Sequence, residues 1–337
     1  EIRDLKYATP ATVSRAGILY ISDLAGYQWR SYIKSWLASP ENPLTNNPAQ
    51  DLRRDLEPLF ERYVGPVLLH FKKHLKPVAP IVDISMVETL CYMLRNVMSV
   101  AHGEESVVIP GIDTPAIVEM YFCFCCIWAF GSAFIEKDGV EYRKQFSDYW
   151  KSEFKTVKIP YKGLIFDYYV NPDTHGFDGW EHITKNVEYD PEIPMSTVTV
   201  PTPETCSVSY FMERLVTSKK PVLLVGGSGV GKTQLVKGML ANLPELYINL
   251  GINFNYYTDG SSLQNMLEGP LEKKTGRLYG PPGSQKMIFF VDDLNMPQLD
   301  KYNTQSAIAL VRQHMDYGHW YDKEKWLLKD IQECQYC

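Results

Sequence analysis

Apolar positions fall at helical spacing over the first half of the chain and in short unbroken runs over the second. Between Leu52 and about Trp150, Leu56, Leu59, Phe60, Tyr63 and Val64 form one stripe, and Val87, Leu90, Met93, Leu94 and Val97 form another. The stretch from Pro115 to Phe134 is apolar on nearly every face, with Glu119 as its single charge, which predicts a helix at the centre of a core. Its uncharged part, Met120 to Ile135, falls short of the roughly 20 residues that span a bilayer, so it reads as a buried core helix.

The flanks carry a different pattern. Ile18-Leu19-Tyr20-Ile21 reads as a strand, and residues 23–50 mix aromatic and polar positions before the turn-rich Pro40 to Pro48. Beyond residue 157, Ile165 to Val170 and Ser196 to Val200 read as strands, and Pro201 to Pro203 as a hinge. Then come a helix around Tyr210 to Val216, the apolar run Val222 to Val225, a glycine loop, and a helix from Gln234 to Leu243 stopped by Pro244. Leu246 to Leu250, Met287 to Val291 and Glu333 to Cys337 read as further strands. Fully apolar strands alternating with helices predict a parallel sheet covered on both faces.

At 337 residues the chain exceeds what one core usually supports, so two or more domains are expected. A net charge of −6 supplies no overall field for holding nucleic acid. The local basic group His70, Lys72, Lys73, His74 and Lys76 reads as the solvated face of a helix. Seven cysteines, an odd number with three in one apolar run, suit reduced buried thiols better than a disulfide framework. Cys334 and Cys337 form a lone C-x-x-C, and with no second pair or nearby histidines no metal or redox role is expected there. The first residues, Glu1-Ile2-Arg3-Asp4, do not read as a signal peptide, and the abrupt ends read as those of a piece of something larger.

The chemistry concentrates at Gly226-Gly227-Ser228-Gly229-Val230-Gly231-Lys232-Thr233, which fits G-x-x-x-x-G-K-[ST] at every position. Its glycines let the backbone curl into a nest of N–H groups for phosphate oxygens, and the following helix offers its N-terminus to the same anion. Lys232 is expected on the β- and γ-phosphates, and Thr233 on Mg²⁺. Downstream, Phe290-Val291-Asp292-Asp293 delivers two carboxylates at the end of an apolar strand, the edge where ligands of parallel sheets sit. Asp292 is placed to hold Mg²⁺ through water, and Asp293 occupies the position that often carries the glutamate polarising the attacking water. Aspartate is one methylene shorter, and a displacement of about 1 Å can cost on the order of a hundredfold in rate. Binding of ATP or ADP is therefore expected more firmly than fast hydrolysis. Asp293 also has a plainer reading, as a strand-end carboxylate capping the next turn. Arg15, just before an apolar run, says little alone, but in a ring of repeated modules it could reach a neighbour's γ-phosphate.

Two phrases resemble one family. Ala8-Thr9-Pro10-Ala11-Thr12-Val13-Ser14-Arg15-Ala16-Gly17 is similar to the end of the large subdomain of the second AAA+ module in dynein heavy chains. Phe290-Val291-Asp292-Asp293-Leu294-Asn295-Met296-Pro297, with Asp300-Lys301-Tyr302, Thr304-Gln305 and Asp316-Tyr317-Gly318, resembles the Walker B region of the third module, in wording closer to axonemal than cytoplasmic dyneins. The resemblance implies an α/β P-loop NTPase (AAA+) large subdomain, truncated, preceded by a mainly helical small (lid) subdomain. It places the end of the second module's large subdomain at 1–22, its lid with a β-hairpin-like insert at 23–195, and the first part of the third module's large subdomain at 196–337. It further implies that Val200, Pro201 and Thr202 line the adenine pocket, that Arg15 is an arginine finger facing the first module, and that the third module's sensor asparagine lies just beyond Cys337.

The same resemblance implies an ATP-driven microtubule motor of cilium or flagellum, acting in the cytoskeleton of the axoneme. The third-module site would play a mainly regulatory part, and the segment alone would be inactive or very slow. The implied partners are neighbouring AAA+ modules, dynein intermediate and light chains, and microtubules, with neither nucleic acid nor membrane. Two alternatives stand beside it: a stand-alone P-loop ATPase with a helical N-terminal domain, and a nucleotide-binding structural module without turnover.

Overall fold

The computed structural model describes residues 8–19, 26–47, 50–102, 105–184 and 200–337. A one-turn helix α1 (Pro10–Val13), capped by the Thr9 side chain, precedes α2 (Tyr27–Ala38). Helix α3 (Arg53–Leu59) passes through a π turn at Phe60–Val64 into α4 (Gly65–His74). The widened turn sits between Pro58 and Pro66, neither of which can donate to the helical ladder. Helix α5 (Asp83–Met98) leads into a hairpin of β1 (Ser99–His102) and β2 (Glu105–Val108). The apolar helix α6 (Pro115–Gly131) follows, then the short pair β3 (Glu136–Lys137) and β4 (Val140–Glu141), and α7 (Tyr142–Glu153).

Helix α6 is the axis of this half. Every residue from Tyr121 to Gly131 is buried, as the all-round apolar pattern requires. Phe122 meets Phe60 edge-on at 5.0 Å between ring centroids, and Trp128 meets Phe166 the same way at 5.5 Å. Glu119 escapes the apolar surroundings at the helix start, accepting from Tyr63 at 2.6 Å and Arg62 at 2.9 Å. Cys91, Cys123, Cys125 and Cys126 are buried free thiols. On α4, Lys72, Lys73 and His74 are exposed, while His70 stacks on Tyr149 at 3.6 Å.

The expected strand at Ile165 to Val170 is only half realised. Ile165–Asp167 is a 3₁₀ turn, because the Asp167 side chain accepts the Leu164 N–H at 2.7 Å and closes the backbone locally. The strand β5 (Tyr168–Asn171) starts after it and pairs antiparallel with β6 (Gly176–Gly179). Ile18 and Leu19 are exposed and not in a strand, and the rest of that expected strand, Tyr20 and Ile21, lies outside the described residues. The expected strand at Ser196 to Val200 also falls outside them apart from Val200, which is exposed coil.

Pro201 to Pro203 leads directly into α8 (Pro203–Thr217). Thr202 caps that helix reciprocally with Thr205, and Pro203 occupies the first helical position, where its missing N–H costs nothing. Beyond α8 come α9 (Lys232–Ala241), β7 (Tyr247–Asn253), α10 (Gly260–Glu268), β8 (Glu272–Lys273) and β9 (Leu278–Gly280). The chain continues through β10 (Lys286–Asp292), α11 (Ser306–Tyr317), β11 (His319–Tyr321), β12 (Leu328–Ile331) and β13 (Cys334–Tyr336). Strands β13, β10 and β7 form a parallel sheet in that order. Strand β10 is its centre, and alternation sends its side chains into two cores. Met287 and Phe289 join Leu263, Leu267 and Trp320 on one face, while Ile288 and Phe290 join Met212, Val236 and Met239 on the other.

A second sheet, in the order β11-β12-β9-β8, stands beside α10 and α11. The apolar run Val222 to Val225 does not join a sheet. Val222 and Leu224 pack inward while Leu223 and Val225 are exposed, so the side chains alternate as in a strand without a ladder. Strand β13 is tied to the end of α8: the Gln335 side-chain amide donates to the Val216 carbonyl at 2.8 Å.

Candidate functional site

The glycine loop is shaped by two left-handed residues. Gly229 has φ +77° and Gly231 φ +86°, conformations an L side chain adopts only under strain. Gly231 is also the N-cap of α9, so the loop ends where the helix presents its unpaired N–H groups. Gly226 to Gly231 are exposed. Lys232 folds back across this loop, its ammonium donating to the carbonyls of Gly226 at 3.0 Å and Gly227 at 2.6 Å.

The sheet brings the second motif to the first. Thr233 and Asp292 are 59 positions apart, yet the Thr233 hydroxyl donates to Asp292 Oδ2 at 2.9 Å. Asp292 ends β10, and its register partner on β7 is Asn253. Its other oxygen, Oδ1, accepts the Asp293 N–H at 3.1 Å. A hydroxyl and a carboxylate held this close are hard oxygen donors, the type that suits Mg²⁺.

Asp293 is exposed and left-handed at φ +57°, a conformation uncommon outside glycine, asparagine and aspartate. Its carbonyl accepts the Met296 N–H at 2.9 Å, so the chain turns away from the strand at once. The loop beyond is self-bonded: Asp300 accepts from the N–H groups of Tyr302 and Thr304 and from the Thr304 hydroxyl.

A cleft of about 1470 Å³ runs from lid residues such as Val78 and Met86 past α8 to Gly231 and Lys232 of the loop and on to His314 and Gln335; Thr233, Asp292, Asp293, Val200, Pro201 and Thr202 do not line it. Val200 and Thr202 are exposed at the start of α8, and Pro201 is partly so. The sequence reading missed Thr205, which completes the cap facing this cleft, because T-x-x-T lacks the Glu or Gln of the usual signature. Arg15 is exposed in the turn after α1 and lines no part of this cleft.

Residues 56–182 match the family described as the dynein heavy chain AAA lid domain, and residues 187–337 match the P-loop containing dynein motor region. Over its whole length the chain is 45% identical to the dynein alpha chain of the flagellar outer arm of Chlamydomonas reinhardtii. It is likewise 45% identical to human dynein axonemal heavy chain 9, and 44% identical to the ciliary dynein beta chain of Heliocidaris crassispina. It spans about 7% of the length of each of these relatives. A helical half that matches the lid, a P-loop half that matches the motor region, and full-length similarity to axonemal heavy chains agree: the chain belongs to the dynein heavy-chain family.

Proposed function

We propose that this chain is part of the ATP-driven ring of an axonemal dynein heavy chain, and that its P-loop binds ATP or ADP with Mg²⁺ in a mainly regulatory role. The observation that carries the nucleotide reading is the 2.9 Å contact between Thr233 and Asp292, which unites both halves of a phosphate and metal grip around Lys232. In this reading Lys232 leaves the Gly226 and Gly227 carbonyls for the β- and γ-phosphates. The N–H groups of Gly226 to Gly231 cradle phosphate oxygens. Thr233 binds Mg²⁺ directly and Asp292 through water. Val200, Pro201 and Thr202 receive the adenine edge through backbone groups.

Asp293 would orient the attacking water. Its shorter side chain and left-handed backbone favour binding over fast turnover, which supports a second reading: nucleotide held structurally without hydrolysis. Arg15 would serve the neighbouring first module. We assign residues 1–22 to the end of the second module's large subdomain, 23–195 to its lid, and 196–337 to the third module. Microtubules, intermediate and light chains, and an axonemal setting in cilium or flagellum belong to the whole protein. Bound nucleotide can bias the ring only by its differential affinity for two arrangements.

The test uses the full heavy chain with a fluorescent ADP analogue and excess EDTA or Mg²⁺. Thr233→Ala should remove the Mg²⁺ dependence of the binding component that Lys232→Ala also removes. Full Mg²⁺ dependence in Thr233→Ala would refute the assigned metal ligand.

A further inference from the structure

The helical half carries a basic surface that nucleotide binding does not use. After α7 the chain runs through residues 154–164 with neither helix nor strand, yet this loop is fixed at several points. Phe154 anchors its start, with ring centroids 4.8 Å from Tyr63 and 4.7 Å from Trp150. The Thr156 hydroxyl accepts from Arg62 at 2.9 Å, and Ile159 is buried. The Lys151 ammonium donates to the carbonyls of Tyr161 at 3.1 Å and Gly163 at 2.6 Å. The Tyr168 hydroxyl donates to the Lys162 carbonyl at 2.6 Å.

What this fixed backbone shows to solvent is a set of cations around an aromatic ring. Lys155, Lys158 and Lys162 are exposed, and among the described residues none of them has a carboxylate in salt-bridge contact. Tyr161 is 86% exposed between the last two. Two nearby acids are already engaged: Asp167 accepts the Leu164 N–H, and Glu119 accepts from Arg62 and Tyr63. Like charges on so short a loop repel, and an anion relieves that repulsion. A tyrosine on a rigid backbone supplies contact area at little conformational cost, with a hydroxyl to donate.

The groups on offer select among anions. They are ammoniums and a phenol, without a free arginine fork, since Arg62 is bonded to Glu119 and Thr156. That set suits carboxylates better than bidentate phosphate. One exposed ring is no platform for successive bases, and the net charge of −6 gives long polyanions no overall attraction. We propose that residues 155–162 form a docking loop for an acidic polypeptide segment, whose carboxylates meet Lys155, Lys158 and Lys162 while an apolar stem lies on the Tyr161 ring. Nothing in this depends on nucleotide at the P-loop.

The experiment is fluorescence anisotropy of a labelled decaglutamate peptide titrated with the full heavy chain, with decaglutamine as the uncharged control. The wild type should bind decaglutamate and not decaglutamine, and less tightly as salt is raised. Lys158→Glu combined with Lys162→Glu should weaken binding about tenfold or more, and Tyr161→Ala about threefold. Lys73→Glu combined with Lys76→Glu makes the same charge change elsewhere on the helical half and should leave affinity within about twofold. Single-stranded RNA of equal charge should compete less well than unlabelled decaglutamate. Unchanged hydrogen exchange in residues 115–131 checks that each variant folds; if the double reversal disturbs it, Lys158→Gln with Lys162→Gln replaces it with the same direction of loss. Absence of decaglutamate binding, full binding in the loop variants, an equal loss in the Lys73 and Lys76 control, or RNA competing equally well would each overturn the proposal.

Discussion

At the residue scale, the site divides into what covalent spacing fixes and what only the fold can join. The eight residues Gly226 to Thr233 were legible because each role belongs to a fixed place in one short phrase. Asp292 is a candidate by a weaker rule, that strand ends in a parallel sheet face the ligand, and the structure puts it in contact with Thr233. The retreat of Lys232 onto its own loop carbonyls was not legible, since no sequence pattern specifies where a flexible cation rests. Nor was the left-handed backbone of Asp293, which arises from the turn it starts. Gly231→Ala should weaken nucleotide binding chiefly through the backbone. A Cβ there meets no neighbour within 4 Å, so the cost is the left-handed conformation itself, roughly 1–2 kcal/mol or about a tenfold loss of affinity. Titration of a fluorescent ADP analogue checks it, and wild-type affinity in the variant would contradict the glycine argument.

At the scale of elements, the long periodic helices were readable and the short strands were not. Helix α6 is legible because Glu119 is the single charge in its 17 residues. The second sheet, built from strands of two to four residues, offers too few positions for a period of two to emerge. The run Val222 to Val225 has the composition of a strand but lacks the partner that would make it one.

The sequence predicts only the Tyr210 to Val216 part of helix α8, which starts at Pro203, and not its place between two cores. One face sends Phe211 into the lid core, 4.9 Å from Trp128, while Met212 and Val216 enter the core beneath β10. Phe211→Ala should cost about 3–5 kcal/mol locally and raise exchange across α8 and α6 together. A rise confined to α8 would show that the helix is not shared.

The packing of α11 against β13 carries a pH signature. His314 is buried and shares a 2.9 Å hydrogen bond with the Tyr336 hydroxyl. Burial drives its pKa down from 6.5 to about 4, with a smaller opposing effect from the Ile331 backbone. The unfolded state therefore binds the proton more readily, so stability is full above about pH 6.5 and falls as pH drops toward 4. The loss is on the order of 3 kcal/mol. Exchange in residues 306–336, corrected for intrinsic rate, should accelerate over that window, and His314→Gln should flatten the dependence. An unchanged pH profile in that variant would assign the acid sensitivity elsewhere.

At the scale of the whole molecule, the division of labour was visible early: a helical half around one apolar helix, and an α/β half around one apolar strand. The physical link between them, α8 and the turn that follows it, was not, because it consists of contacts 122 positions apart such as Asn96 with Ser218. We propose that the P-loop of this chain grips nucleotide within a dynein ring. The most direct measurement is calorimetric titration of the full heavy chain with ATP and with ADP, wild type against Lys232→Ala. One fewer binding event is expected in the variant, or a site weakened at least tenfold, as loss of a charge-assisted contact worth about 1.5–3 kcal/mol requires. Identical isotherms for wild type and variant would contradict it.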